Sequence, residues 1–433
     1  MHPHEHGHRH HHESMLSVED ALERILGCFD VLETERVPLL DALGQVLAED
    51  ATATHDIPPL DNSAMDGYAI QAANVTDASE SSPVALKVIG LVTAGDLPSD
   101  DVVPGTAVRI MTGAPIPQGA DSVVPFEDTD EIDRRNSGDT LDEIGIRFPV
   151  GVGADIRPAG QDVRSGTRVL SKGATLRPAE IGVLASLGFD TVSVVRRPVV
   201  AILSTGNELL YPGDEYAPGK IYDANSYSVA ASVRRYGGVP MQLGIARDNL
   251  DSMNSKLAEG LKSDLLITSA GVSKGDYDMV KDVLAQHGQI DFWSVRMRPG
   301  KPLAFGLLHT EDGRAVPHLG LPGNPVSAMV TFEQFGRAAI HKMMGKSGFQ
   351  KPRIEAVLDE PIYNTDGRRV YARAMITKEN GAYRARLTGN QSSNLLTSMA
   401  GANGLAVCPE DLPVKQTGET VEVQMLDWPE DVF

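Results

Sequence analysis

Cysteine is almost missing from this chain: among 433 residues there are only Cys28 and Cys408. Two thiols at opposite ends, neither in a CxxC pair, argue against a disulfide framework and against a zinc or redox centre. They read as plain core residues of a protein kept in a reducing compartment. No run of about 18 apolar residues occurs, so no membrane-spanning helix is expected. The amino terminus lacks the apolar stretch of a secretory signal. A cytoplasmic location follows as the expectation. Positive charge is also scarce, with 39 Lys and Arg against 59 Asp and Glu and a formal net charge of −20. Such a surface repels nucleic acid and anionic membrane. It repels small anions too, so an anion site has to bring its own basic cluster.

What is present suits a soluble multi-domain protein. Apolar residues make up 41% and charged residues 23%, and the length predicts about three or four domains. Residues 1–15 carry seven of the twelve histidines and no apolar periodicity. This tail is expected to be disordered, and reads either as an appended tag or as a weak binder of divalent metal.

Ser17 followed by Asp20 resembles a capping box, and Val18, Ala21, Leu22, Ile25 and Phe29 share one helical face. An extended, turn-rich region then runs to about Leu170, with a strand over residues 84–92 and β-structure between Val102 and Pro125. Residues 128–144 are acidic and read as an exposed loop. A helical pattern returns from Arg177 to Leu187. From Arg196 onward, strands and helices alternate: strands near 198–203, 239–246, 264–268 and 290–295, helices near 225–236, 250–261 and 276–287. This alternation predicts a parallel, doubly wound α/β domain ending near Lys346, followed by short strands over 353–433 that suggest a small β-domain.

In an open α/β sheet, ligands bind beyond the carboxyl ends of the strands. Four loops are expected there: residues 204–209, 269–278, 298–302 and 320–328. Glycines such as Gly206, Gly271 and Gly323 let backbone N–H groups approach an oxyanion, and helix N-termini add partial positive charge. Thr205, Ser269, Ser273 and Ser327 supply hydroxyls, and Arg298 and Lys301 supply cations. Glu208, Asp276 and Asp278 place carboxylates beside the same anion site, a combination that implies a bridging magnesium ion. Each feature has a plainer reading. Glu208 also fits a helix-start acid, Asp276 an N-cap, and Arg298 with Lys301 a solvated charged edge. Four such loops on one sheet edge favour a phosphate-containing ligand with magnesium, whose identity the pattern does not name. Asp61 and Asp66, on a loop framed by Pro58 and Pro59, read from the residues alone as an Asx-turn corner.

Taken together, these motifs resemble one family. The run from Asp61 to Ala69, the run from Arg109 to Asp121, the loops 204–208, 271–273, 299–302 and 321–327, and the segments 391–398 and 402–405 resemble the signatures of molybdopterin molybdenumtransferases, in order, across residues 16 to about 430. The family includes the carboxy-terminal domain of gephyrin. The α/β domain alone is less specific, because molybdopterin adenylyltransferases share it. The resemblance implies a multi-domain α/β protein. Its parts are a doubly wound parallel-sheet pterin-binding domain, an elongated α+β amino-terminal region carrying an inserted β-domain, and a small carboxy-terminal β-barrel. The corresponding boundaries are 16–55 with 148–195 for the amino-terminal domain, 56–147 for the insert, 196–346 for the pterin-binding domain and 347–433 for the barrel.

The resemblance also implies a homodimer and a reaction: magnesium-dependent insertion of molybdate into adenylylated molybdopterin, with release of AMP. Implied partners are the molybdopterin adenylyltransferase and apo-molybdoenzymes. By position, Glu208 and Asp278 match the family's metal-binding acids, Lys301 a molybdate-side lysine, and Asp61 the acid of the amino-terminal signature. Ser327 and Ser393 match hydroxyls near the oxyanion, and Arg373 a basic residue there. Thr205, Gly206, Ser269, Gly271, Ser273, Pro302, Pro322, Gly323 and Asn324 lie in the matching ligand loops. Two departures stand out. Ala270 replaces a usual glycine, and Arg298 stands where a lysine is common, its planar fork differing from an ammonium. The alternatives to insertion are the adenylyltransferase reaction and a non-catalytic pterin-binding scaffold.

Overall fold

The computed structural model describes residues 15–247, 249–269, 283–284 and 286–428. The His-rich tail through Ser14, Gly271, Ser273, Asp276, Asp278 and most of the expected helix 276–287 lie outside them. The described chain forms two compact units.

The first unit contains Met1–Glu35, Gly44–Val46 and Val194–Phe433. Its centre is a six-stranded sheet in the order Val239–Ala246, Val199–Thr205, Leu265–Ser269, Ala315–Leu321, Pro302–His309, Gly288–Ser294. Side chains alternate across a strand. Val200 and Ile202 therefore join the cluster under helices Ala224–Arg235 and Pro325–Thr331, while Ala201 and Leu203 join the cluster under Leu250–Gly260. Both faces are covered, as a doubly wound sheet requires.

One strand breaks the expected all-parallel pattern. Pro302–His309 runs antiparallel to both of its neighbours. The turn to Ala315 is too short for a crossover, which needs a dozen or more residues. Thr310 N–H closes that turn on Arg314 O at 2.9 Å, with Gly313 at φ +85°. Helix Pro325–Thr331 continues through a π-helical turn, Phe332–Gly336, that directs Glu333 inward. There its carboxylate meets Lys351 Nζ at 2.6 Å and Tyr236 Oη at 2.8 Å.

Five strands close into a barrel in the order Arg369–Glu379, Ala382–Leu387, Arg353–Leu358, Thr420–Met425, Gly404–Cys408 and back to the first. Ala374, Ile376, Ala406 and Val423 fill its interior, while Tyr371, Leu405 and Val407 on the outer face join the α/β core. The small β-domain expected from the sequence is thus a closed barrel. Cys408 is buried within it, but Cys28 is exposed. Helix Val18–Leu26 is capped by Ser17 Oγ accepting Asp20 N–H and ends at Gly27. Phe29 takes the buried position beyond it, leaving the Cys28 thiol outside the core.

The second unit contains Arg36–Leu43 and Leu47–Ser193. A five-stranded sheet, in the order Ser122–Pro125, Gly67–Ile70, Thr106–Ile110, Val84–Val92, Glu143–Ile146, is buried on both faces. Helix Pro178–Ser186 forms where expected. The acidic stretch 128–144 does not form the exposed loop expected of it. Glu131–Ser137 is a helix stopped by Gly138 at φ +76°, and the strand Glu143–Ile146 follows. Glu131 is only 2% exposed because Arg109 and Arg135 pair with it at 3.0 and 2.6 Å. Among the described residues, no helix is long and apolar enough to cross a membrane.

The α/β core holds two histidines, one fully buried and one half-buried, with a consequence for pH. His318 is fully buried in Ala315–Leu321, with Nε2 2.9 Å from Thr268 Oγ1, and burial pushes its pKa down to about 3. His341 is likewise pushed down to about 3, first by burial and then by Arg337, Lys346 and Lys351. Unfolded histidine takes a proton near pH 6.5, so below that pH the unfolded state binds more protons than the folded one. Stability is therefore expected to fall from about pH 6.5 downward, by up to about 1.4 kcal/mol per pH unit for each histidine. Urea denaturation at pH 7.5 and 5.5 checks this, and the drop is expected to shrink in His318→Gln. An equal drop in that variant would remove His318 from the account.

Candidate functional site

The carboxyl ends of Val199–Thr205, Leu265–Ser269 and Ala315–Leu321 lie side by side, because Ser204 pairs with Ser269 and Ser269 with Leu321. Gly288–Ser294 runs in the same sense two strands away, so the 298–302 loop emerges at that edge as well. A pocket of about 150 Å³ opens there, and its walls include Thr205, Glu208, Asp223, Asn225, Ser269 and Gly323. Two of the four expected ligand loops meet in it, together with Ser269, the first residue of a third.

Each of these side chains has a defined environment. Thr205 is buried and its hydroxyl reaches Ser269 O at 3.5 Å. Ser269 Oγ accepts from Asn225 Nδ2 at 2.7 Å, which leaves its own proton free to donate. Asn225 Nδ2 also donates to Gly323 O at 2.8 Å, so one amide ties two ligand loops together. It stands in the first turn of Ala224–Arg235, whose N-cap Asp223 accepts from Ser226 N–H and Oγ. The positive end of that helix therefore faces the pocket. Sequence analysis took Asn225 only as a helix start. The capping pattern Asp223-x-x-Ser226 at the start of the helix was the available signal.

Glu208 is exposed, and no side chain among the described residues donates to its carboxylate. The carboxylate folds back over Gly206, where an added Cβ would lie 2.3 Å from Oε2, and Gly206 itself sits at φ +139°. The backbone conformation there is one that favours glycine.

The two expected cations differ. Arg298 Nη1 donates to Thr365 Oγ1 at 3.2 Å and lies 3.5 Å from Asp366, while Nη2 donates to Tyr363 O. Its charge is directed toward the barrel. Lys301 is exposed with its ammonium unpaired among the described residues, and Pro302 opens the antiparallel strand beside it. Gly323 and Asn324 are exposed, Pro322 and Ser327 buried. Asn324 Nδ2 donates to Ser393 Oγ at 3.1 Å, and Val326 N–H donates to Ser393 O at 3.1 Å, so the barrel segment around Ser393 is fastened to the 320–328 loop.

Arg373 is 1% exposed. It donates to Ser398 Oγ and to the carbonyls of Asn390 and Ser392, and burial lowers its pKa to about 10, so it stays charged at neutral pH. Asp61, in the second unit, accepts Ala159 N–H at 2.7 Å, and Asp66 accepts from Thr112 N–H and Oγ1. Both carboxylates bond segments distant in sequence, so they tie this loop to its neighbours and do not form the local Asx-turn read from the residues alone. Gly271, Ser273 and Asp278 lie outside the described residues.

No group of three or more His, Cys, Asp and Glu able to hold a metal occurs among the described residues. Magnesium does not need one, since it uses one or two carboxylates together with waters and substrate phosphates. The unpaired Glu208 carboxylate beside hydroxyls and a helix N-terminus fits that mode.

Known proteins share this organisation across most of the chain. Residues 16–188 match the family model described as MoeA N-terminal region (domain I and II). Residues 201–342 match a probable molybdopterin binding domain, and 355–426 the MoeA C-terminal region (domain IV). The chain is 38% identical over 395 residues to molybdopterin molybdenumtransferase 2 of Mycobacterium tuberculosis, covering 89% of this chain and 94% of that one. It is 35% identical over 426 residues to molybdopterin molybdenumtransferase of Bacillus subtilis, covering 96% and 97%. The crystal structure of a molybdopterin biosynthesis moeA protein from Pyrococcus horikoshii superposes with a TM-score of 0.75 at 30% identity, over 95% of this chain and all of that one. With three matched regions in order and relatives aligned nearly end to end, this chain belongs to the molybdopterin molybdenumtransferase family.

Proposed function

We propose that this protein completes the molybdenum cofactor by transferring molybdate onto adenylylated molybdopterin, with magnesium assistance and release of AMP. The observation that carries this reading is the convergence of Glu208, Ser269 and Gly323 on one pocket, cross-linked by Asn225, at the edge where Lys301 also emerges. The reaction brings several anions together on a protein with a net charge of −20. Their mutual repulsion has to be offset locally. The first turn of Ala224–Arg235 and the Ser269 hydroxyl do so in fixed positions, which requires no reorganisation as charge shifts, and the exposed Lys301 ammonium adds a mobile positive charge. Glu208 and Asp278 would hold magnesium, which would supply further positive charge against the substrate anions. Binding both substrates at one edge makes the transfer effectively intramolecular.

In this reading Asp61, Glu208, Asp278 and Lys301 are the catalytic residues, and Arg298, Ser327, Arg373 and Ser393 shape the molybdate side. The protein works as a cytoplasmic homodimer of four-part subunits, receives its pterin from the adenylyltransferase and delivers cofactor to apo-molybdoenzymes. The test is incubation with adenylylated molybdopterin, molybdate and magnesium, followed by reconstitution of an apo-molybdoenzyme. Restored activity is expected. Adenylylation of molybdopterin from ATP without insertion would assign the preceding step instead.

Lys301→Ala is expected to weaken molybdate use by about 1.5–3 kcal/mol, the loss of one charge-assisted contact, or roughly 10- to 150-fold. Affinity for adenylylated molybdopterin is expected to change little. Equal losses for both ligands would move Lys301 to the phosphate side.

A further inference from the structure

At the same sheet edge lies a cation that neither the motifs nor the family matches single out. Arg247 directly follows strand Val239–Ala246, the neighbour of Val199–Thr205. Its Nη1 donates to Leu209 O at 2.9 Å and reaches Gly206 O at 3.4 Å and Asn207 O at 3.5 Å. Lys220 Nζ donates to Asn207 O at 2.6 Å, and Ile221 N–H donates to Glu208 O at 2.9 Å. All four carbonyls of the loop 206–209 are thereby engaged. Yet neither Arg247 nor Lys220 pairs with the one carboxylate that the loop carries. Both are turned to the backbone, and the Glu208 side chain stays open to the pocket.

We infer that Arg247, assisted by Lys220, is a positioning residue that holds the Glu208 loop by its carbonyls and so keeps the carboxylate free for a divalent cation. The inference rests on the metal role proposed for Glu208. It makes a prediction whose sign separates it from a simple charge effect. Deleting a nearby positive charge should tighten binding of a divalent cation if charge alone matters. Releasing a loop that orients a metal carboxylate should weaken binding, by about 10- to 100-fold.

The experiment is Mn²⁺ titration of the full-length protein in the presence of AMP, read by loss of the free-ion electron paramagnetic resonance signal. Mn²⁺ serves as the probe because it favours the same oxygen ligands as magnesium. Wild type, Glu208→Gln, Arg247→Met and the milder Lys220→Met are compared, with circular dichroism to establish folding and AMP affinity measured separately. The expected result is Mn²⁺ uptake that Glu208→Gln abolishes, Arg247→Met weakens at least about tenfold and Lys220→Met weakens less, at unchanged AMP affinity. Should Arg247→Met not fold, the sign of the Lys220→Met shift decides. Uptake that is lost in Glu208→Gln but kept or strengthened in the folded Arg247 or Lys220 variants overturns this inference and leaves the metal reading standing. Uptake that is indifferent to Glu208→Gln overturns both.

Discussion

Glu208→Ala is expected to lower AMP release at least about 100-fold while leaving the fold intact. The carboxylate is exposed and unpaired among the described residues, so its removal deprives no buried group of a partner. Gly206 at φ +139° still supports the turn, and the loop carbonyls keep their donors on Arg247, Lys220 and Ile221. What disappears, on the proposed reading, is the negative charge that would hold magnesium. Metal-assisted charge stabilisation is worth several kcal/mol, and two tenfold steps correspond to about 2.8 kcal/mol. The loss should therefore fall on turnover, and excess magnesium should restore only part of it. The check is the magnesium dependence of AMP release alongside the thermal midpoint. Wild-type turnover by the variant at limiting magnesium would take Glu208 out of the metal site.

Arg373→Met is expected to cost stability as well as activity. The substitution keeps most of the volume and removes a guanidinium that is 1% exposed. The buried Ser398 hydroxyl loses its donor, and so do the part-buried carbonyl contacts to Asn390 and Ser392. Leaving a buried acceptor without a partner costs about 1–3 kcal/mol, so a loss of that size is expected, carried mainly by Ser398. The effect reaches the site because Ser393 follows directly and is bonded to Asn324 and Val326 of the ligand loop. Arg373→Lys separates geometry from charge. An ammonium keeps the charge but cannot reproduce the planar fork, so a folded Arg373→Lys protein should still use molybdate poorly. Full molybdate use by that variant would show that charge alone is needed. Urea denaturation and molybdate titration of AMP release are the two measurements.

How much of this could be read in advance depended on whether the deciding contacts were local. Val84–Val92 and Val239–Ala246 form with the bounds expected, because alternation and flanking turns act within a few residues. The order of the ligand loops followed from strand–helix alternation for the same reason. The stretch 128–144 was misread because its charge count outweighed its spacing. Asp130 with Arg134 and Glu131 with Arg135 are i,i+4 pairs, and Gly138 is a helix stop. The burial of Glu131 depends on Arg109, which lies on a distant strand and could not be anticipated from the local sequence. The reversal of Pro302–His309 was signalled by the turn at Gly313 and passed over in favour of the regular alternation. Asn225 and Arg247 act by bonding carbonyls of loops that meet only once the sheet is built, so residue type alone could not reveal them. Arg298 and Arg373 were expected as local positive charge. The fold directs one to the barrel turn and buries the other beneath the Ser393 segment, and both depend on long-range contacts.

The most direct test of the account is a single-turnover measurement with enzyme in excess over adenylylated molybdopterin, at saturating magnesium, with molybdate present or withheld. AMP release that depends on molybdate is expected, one AMP for each molybdenum atom retained on the pterin. AMP release at the same rate without molybdate, or molybdenum uptake with no AMP released, would contradict coupled insertion at this site.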